Sequence, residues 1–127
     1  MRRSYQLFIE VGRPLSIQVG RLGTLLLPAG RYVYTGSAMR NLEARIARHL
    51  GSKKRLRWHI DFLLAEPASR VVRVRRSGLQ ECALNHRARG TTVLVEGFGA
   101  SDCHGGCGSH LKYRKRVTKV TKATKAV

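Results

Sequence analysis

A β-rich run, Arg31-Tyr32-Val33-Tyr34-Thr35-Gly36-Ser37, ends in Gly-Ser and passes through one short connection into Leu42–Leu50, whose sequence LEARIARHL reads as a helix. Aromatic and β-branched residues favour a strand in the first segment, whereas Leu42, Ile46 and Leu50 recur at helical spacing in the second. Asn41 is placed to cap this helix and Gly51 to stop it. Arg45 and His49 then stand one turn apart beside the apolar stripe. A phenol, two cations and an imidazole come within reach of one surface, which suits them to hold a phosphate.

The segments on either side complete an alternating pattern of strands and helices. Tyr5, Leu7, Ile9 and Val11 alternate with Gln6, Phe8 and Glu10, and Leu15, Ile17 and Val19 alternate with Ser16 and Gln18, the period of half-buried strands. Gly12-Arg13-Pro14 lies between them, so the two are expected to form a hairpin. Thr24–Leu27 extends the sheet, and Pro28-Ala29-Gly30 turns the chain into the Arg31–Thr35 strand. Further on, Arg57–Leu64 reads as a short apolar helix ended by Pro67. Val71, Val72 and Val74 mark a strand with Arg73, Arg75 and Arg76 on or near its exposed side, Leu79–Arg89 a helix, and Thr91–Val95 another strand. Gly97–Gly108 holds five glycines and is expected to be a loop. From Lys112 the chain reads KYRKRVTKVTKATKAV, low in complexity and basic. The expected division is one domain over 1–113 and a disordered tail over 114–127.

Charge limits the partners. Twenty-five Lys and Arg against seven Asp and Glu give a formal net charge of +18 on 127 residues. A field of one sign on so small a body repels itself unless a polyanion shares the surface, and DNA is the expected partner, with RNA left open. No apolar run approaches the roughly 20 residues that span a bilayer, so no membrane partner is expected. Gln6, Glu10 and Arg13 interrupt any leader-like apolar run, and three cysteines suit a reducing compartment. Both point to the cytoplasm.

With seven acids, the search for a metal-binding carboxylate is short. Glu10 lies in a strand, Glu43 on the outer side of its helix, Glu66 beside Pro67, and Glu96 and Asp102 near the glycine loop. Asp61, in an apolar helix, calls for a structural Arg or His partner. Glu81 heads a helix with no evident structural partner, and Mg²⁺ needs only one or two protein carboxylates because it keeps waters and takes phosphate oxygens. Separately, Cys103, His104, Cys107 and His110 place two thiols and two imidazoles within eight residues. They could bind Zn²⁺, although the spacing is tighter than in familiar zinc modules, or their loop could line a nucleic-acid cleft.

The succession GRYVYTGSA, RIARHL, WHIDFLL, ECAL and GFGASDC followed by SHL resembles a subfamily of the GIY-YIG nuclease superfamily, originally described as a domain of unknown function and sometimes fused to endonuclease III-type repair enzymes. The resemblance covers roughly residues 3–113. It implies an α+β domain, a small, mainly antiparallel sheet flanked by helices, and a Mg²⁺- or Mn²⁺-dependent endonuclease acting on DNA with a repair enzyme as partner. On the matching positions Tyr5 and Tyr34 answer the motif tyrosines, Arg45 the phosphate-binding arginine and Glu81 the metal ligand. Arg3 stands where the first motif has glycine, and the Tyr5–Tyr34 separation is longer than in the nucleases. Tyr5 is one candidate base if neighbouring cations lower its pKa, and His49, which titrates near neutrality, is the other. Two non-catalytic readings remain beside the enzyme: a DNA-binding module of the same fold, and a zinc-stabilised partner-binding domain.

Overall fold

The computed structural model describes residues 3–38, 40–51, 59–86, 92–93 and 110–115. Its elements are β1 (Ser4–Val11), β2 (Leu15–Val19), a 3-10 turn (Gly20–Leu22), β3 (Gly23–Leu27), β4 (Gly30–Ser37), α1 (Leu42–Leu50), α2 (His59–Leu64), β5 (Ser69–Ser77), α3 (Glu81–His86), β6 (Thr92–Val93) and β7 (Leu111–Lys115). Five strands form one sheet in the order β5-β1-β4-β7-β6, with every pairing antiparallel. The α+β architecture expected from the sequence is therefore present.

β1 and β4 lie inside the sheet, each flanked on both edges. Tyr5, Leu7, Ile9 and Val11 bury one face of β1, with Tyr32 and Tyr34 of β4 beside them. Ile46 of α1 and Ile60 and Leu63 of α2 join this core. On the other face, α3 packs against β1 and β4, and Gln6 is buried there beneath Leu84.

The hairpin expected between the first two strands does not form. Both edges of β1 are filled over eight residues by β4 and β5, and the Gly12 N–H donates to Ala68 O, so no edge remains for β2. β2 pairs instead with β3 in a separate two-stranded ribbon whose Leu15, Ile17, Val19 and Leu27 reach the core.

In α1 the expected stripe is shifted. Ile46 is buried, but Leu50 is 54% exposed and the adjacent His49 is buried in its place. Asn41 does not cap through its side chain. It sits in the left-handed region at φ 53°, which Asn tolerates, and its carbonyl accepts the Ala44 and Arg45 N–H groups. α2 buries Asp61, whose carboxylate takes a bidentate pair from Arg48 at 2.8 and 3.0 Å. That is the structural partner the sequence called for. Arg76 of β5 likewise holds Glu43 of α1 at 2.6 and 2.7 Å.

β7 corrects the expected tail. The strand runs to Lys115, which pairs with Arg31 as Tyr113 pairs with Tyr32, so the ordered unit passes beyond 113. The cause is packing: the Tyr113 ring lies 5.1 Å from that of Tyr32, and its hydroxyl donates to Ala29 O. Gly30 admits it, since a Cβ there would stand 2.7 Å from the Tyr113 ring, and its φ of 147° favours glycine. Trp58, the Gly97–Gly108 loop and residues 116–127 lie outside the described residues.

Candidate functional site

The open end of β1 and β4 gathers the candidate residues. Tyr5 faces Gly36 in the β1–β4 register, and its ring packs where a Gly36 side chain would otherwise project. Its hydroxyl is hydrogen-bonded to His49 Nε2 at 2.6 Å. Tyr34, two residues before Gly36 on the same face of β4, completes a three-ring cluster. Its centroid is 6.4 Å from that of Tyr5 and 6.2 Å from that of His49. The helical spacing of α1 carries Arg45 one turn before His49 to the same end. Arg45 Nη1 donates to Ser37 O at 2.9 Å, and the guanidinium charge acts on the Tyr5 phenol nearby.

Glu81 approaches from the other side of β4. Ser37 Oγ donates to Glu81 Oε1 at 2.5 Å, and His110 Nδ1 meets Oε2. The residues thus form two adjoining polar groups, His49–Tyr5 and Arg45–Ser37–Glu81–His110, the second of which turns around the end of β4. Tyr34 adjoins it through ring contacts.

The electrostatics divide it in two. Burial raises the Tyr5 phenol well above the ordinary tyrosine value of 10, and the Arg45 charge offsets only part of that effect. Burial also raises Tyr34, and the neighbouring Tyr5 adds to the shift. The expectation that cations would lower Tyr5 is therefore reversed: with Tyr5 only 1% exposed, loss of hydration outweighs one guanidinium. Glu81 moves the opposite way. Partial burial by itself would raise it, but hydrogen bonds from His110 and Ser37, with the Arg45 charge, hold its carboxyl below the ordinary glutamate value.

Among the described residues no group of three or more His, Cys, Asp or Glu side chains could hold a metal. Glu81 fits a narrower requirement. Its carboxylate favours the ionised form, it is 26% exposed, and with Ser37 on one oxygen and His110 on the other each oxygen has further lone-pair capacity. One such carboxylate suits a Mg²⁺ that takes its other ligands from water and phosphate. Cys103, His104 and Cys107 of the zinc alternative lie outside the described residues, and His110 directs Nδ1 to Glu81.

Ser37 and the Glu81-binding role of His110 are not assigned by the sequence reading. Each carried a signal: Ser37 ends the Gly-Ser junction, and His110 immediately precedes the Leu111 strand.

No helix among the described residues is long and apolar enough to cross a membrane. Comparison with curated proteins and with solved structures finds no match for the chain. A family model does match, over residues 4–127, and the chain belongs to that family, the domain of unknown function DUF123.

Proposed function

We propose that this domain is a GIY-YIG-like, Mg²⁺-dependent endonuclease (Mn²⁺ serving as an alternative ion) that binds DNA and hydrolyses its phosphodiester bonds, working in DNA repair in the cytoplasm. The observation that carries the reading is the placement of an ionised carboxylate, Glu81, one serine away from the Arg45 guanidinium in a chain of net charge +18. Phosphodiester hydrolysis needs compensation for phosphate charge, a proton acceptor for water and help for the leaving oxygen.

Glu81 would hold the ion, which when bound supplies charge stabilisation to the phosphate and its leaving oxygen. Arg45, held at Ser37 O, brings a guanidinium whose planar fork matches a phosphate. The raised pKa of Tyr5 keeps its hydroxyl protonated. In this reading Tyr5 therefore does not work as a phenolate. It passes a proton from its own hydroxyl to His49 Nε2 as it receives one from the attacking water. Tyr34 packs the pair in place.

The burial of Tyr5 favours a second reading, a DNA-binding module of the same fold without hydrolysis. Purified protein incubated with branched, nicked, single-stranded and duplex DNA, with and without Mg²⁺ or Mn²⁺, separates the two. Metal-dependent cleavage of any substrate supports the nuclease; binding without cleavage of any of them supports the module.

A further inference from the structure

Side chains alternate between the faces of a strand, so Ser4, Gln6, Phe8 and Glu10 point away from the core face held by Tyr5, Leu7, Ile9 and Val11. The registers set their neighbours on that outer face. Arg75 lies beside Gln6, Arg73 beside Phe8 and Arg70 beside Glu10 on β5, while Arg31 lies beside Glu10 on β4. Ser37, which holds Glu81, lies beside Ser4 at the end of the same face.

All four arginines are exposed, Arg70 and Arg31 with 75% and 51% of their side chains accessible. One carboxylate serves them: Glu10 takes Arg31 Nη2 at 3.2 Å and Arg70 Nη2 at 3.1 Å, one on each oxygen. This pairing orients both guanidiniums and leaves their other donors turned to water. Arg73 stands over the Phe8 ring, 5.3 Å from its centroid. Arg75 makes no ion pair with any described residue.

We infer that this ladder is a docking track for the sugar-phosphate backbone of DNA, leading along the outer face of β5 to the Glu81 end of the sheet. The inference rests on the reading that the protein binds DNA and not on hydrolysis. From Arg70 to Ser77 the strand advances about 23 Å at about 3.3 Å per residue, long enough to follow several phosphates. Arg31 and Arg70, two strand spacings apart, straddle β1 at about 10 Å. Within this ladder four guanidiniums stand against the single Glu10 carboxylate, an excess of three positive charges that suits a polyanion. Exposed guanidiniums on such a track contact phosphates, and contacts of that kind are indifferent to sequence. Charged residues on an edge strand also discourage strand-to-strand aggregation, and that role alone requires no anion.

The test is fluorescence anisotropy with a labelled duplex of about 20 bp, titrated between about 50 and 200 mM NaCl without divalent metal. The R70Q/R73Q/R75Q variant is compared with R70K/R73K/R75K, which keeps the charge. Expected is a salt slope shallower by up to about 2.7 in the Gln variant and unchanged in the Lys variant. Should the triple Gln variant lose its folded circular dichroism spectrum, Arg75→Gln alone is expected to lower the slope by about 0.9. An unchanged slope in folded Gln variants, or an equal loss in the Lys variant, overturns the track. Because no metal is present, a shallower slope beside a failed cleavage assay keeps the track and removes the nuclease. Cleavage beside an unchanged slope does the reverse.

Discussion

The Tyr5 ring occupies the space that a side chain at Gly36 would need: a Cβ there would stand 2.5 Å from Tyr5 Oη and 2.6 Å from its Cζ. Gly36 is not in the left-handed region, so the constraint is steric and specific to the partner ring. Gly36→Ala is expected to cost about 1–3 kcal/mol through overpacking, read from urea denaturation. In a Tyr5→Leu background the same substitution should cost measurably less, because the two positions share one space. Equal costs in both backgrounds would show that the clash relaxes elsewhere.

Arg48 and Asp61 join α1 to α2, with the Asp61 side chain fully buried and Arg48 27% exposed. Arg48→Met leaves a buried carboxylate without its bidentate partner and is expected to cost about 3–5 kcal/mol. Removing both charges, as Arg48→Met with Asp61→Leu, should recover most of the loss. A double-mutant cycle on urea midpoints measures the coupling, and additive losses would contradict it.

The Glu81 carboxyl gives a pH signature. Its folded pKa lies below the ordinary value of 4.5, so ionisation favours the folded state. That contribution is present in full above the unfolded value and is lost as pH falls through the folded one. The stability gap between wild type and Glu81→Gln is therefore expected to be steady at neutral pH and to shrink in acid, below about pH 4. Urea denaturation across that range checks it; a gap that widens in acid would reverse the assignment.

β7 sets where the chain can be shortened. A chain ending at Lys115 loses Arg116, Lys119, Lys122 and Lys125 and keeps every β7 residue. Its thermal midpoint is expected to match that of the full chain, while its salt slope for DNA falls by up to about 3.6 if each lost charge met a phosphate. A chain ending at Leu111 loses Tyr113 and should melt well below the full chain. Matching midpoints for the two truncations would remove β7 from the stabilising core.

The legible parts of the fold were those in which local pattern and tertiary role agree. β1 carries an alternating run that matches its buried face, β4 is rich in aromatic and β-branched residues, and Asp61 in an apolar helix calls for its cation; in α1 the helix is legible but its buried face is not, because His49 and not Leu50 is buried. The hairpin was misread because alternation identifies a strand but not its neighbour, and the two edges of β1 are claimed by segments far along the chain. β7 was hidden by composition: Lys112, Arg114 and Lys115 look like tail, although Leu111 and Tyr113 alternate with Lys112. At the candidate site, residue types and order pointed to Tyr5, Tyr34, Arg45, His49 and Glu81. The ionisation of Tyr5 was not legible, because it depends on how completely the surrounding residues exclude water. The partners of Glu81 were equally hidden, since Ser37 and His110 meet it only through strand register.

The nuclease reading is tested most directly by single-turnover cleavage, comparing wild type with Glu81→Gln and Arg45→Ala on the DNA substrate that wild type cuts. Glu81→Gln is expected to lower the Mg²⁺-dependent rate about 100-fold or more with DNA affinity unchanged or slightly raised, since it removes a metal ligand and no phosphate contact. Arg45→Ala is expected to weaken both binding and cleavage, because its guanidinium serves ground state and transition state alike. Cleavage by Glu81→Gln at the wild-type rate, or DNA binding by wild type without cleavage in either metal, would contradict the account.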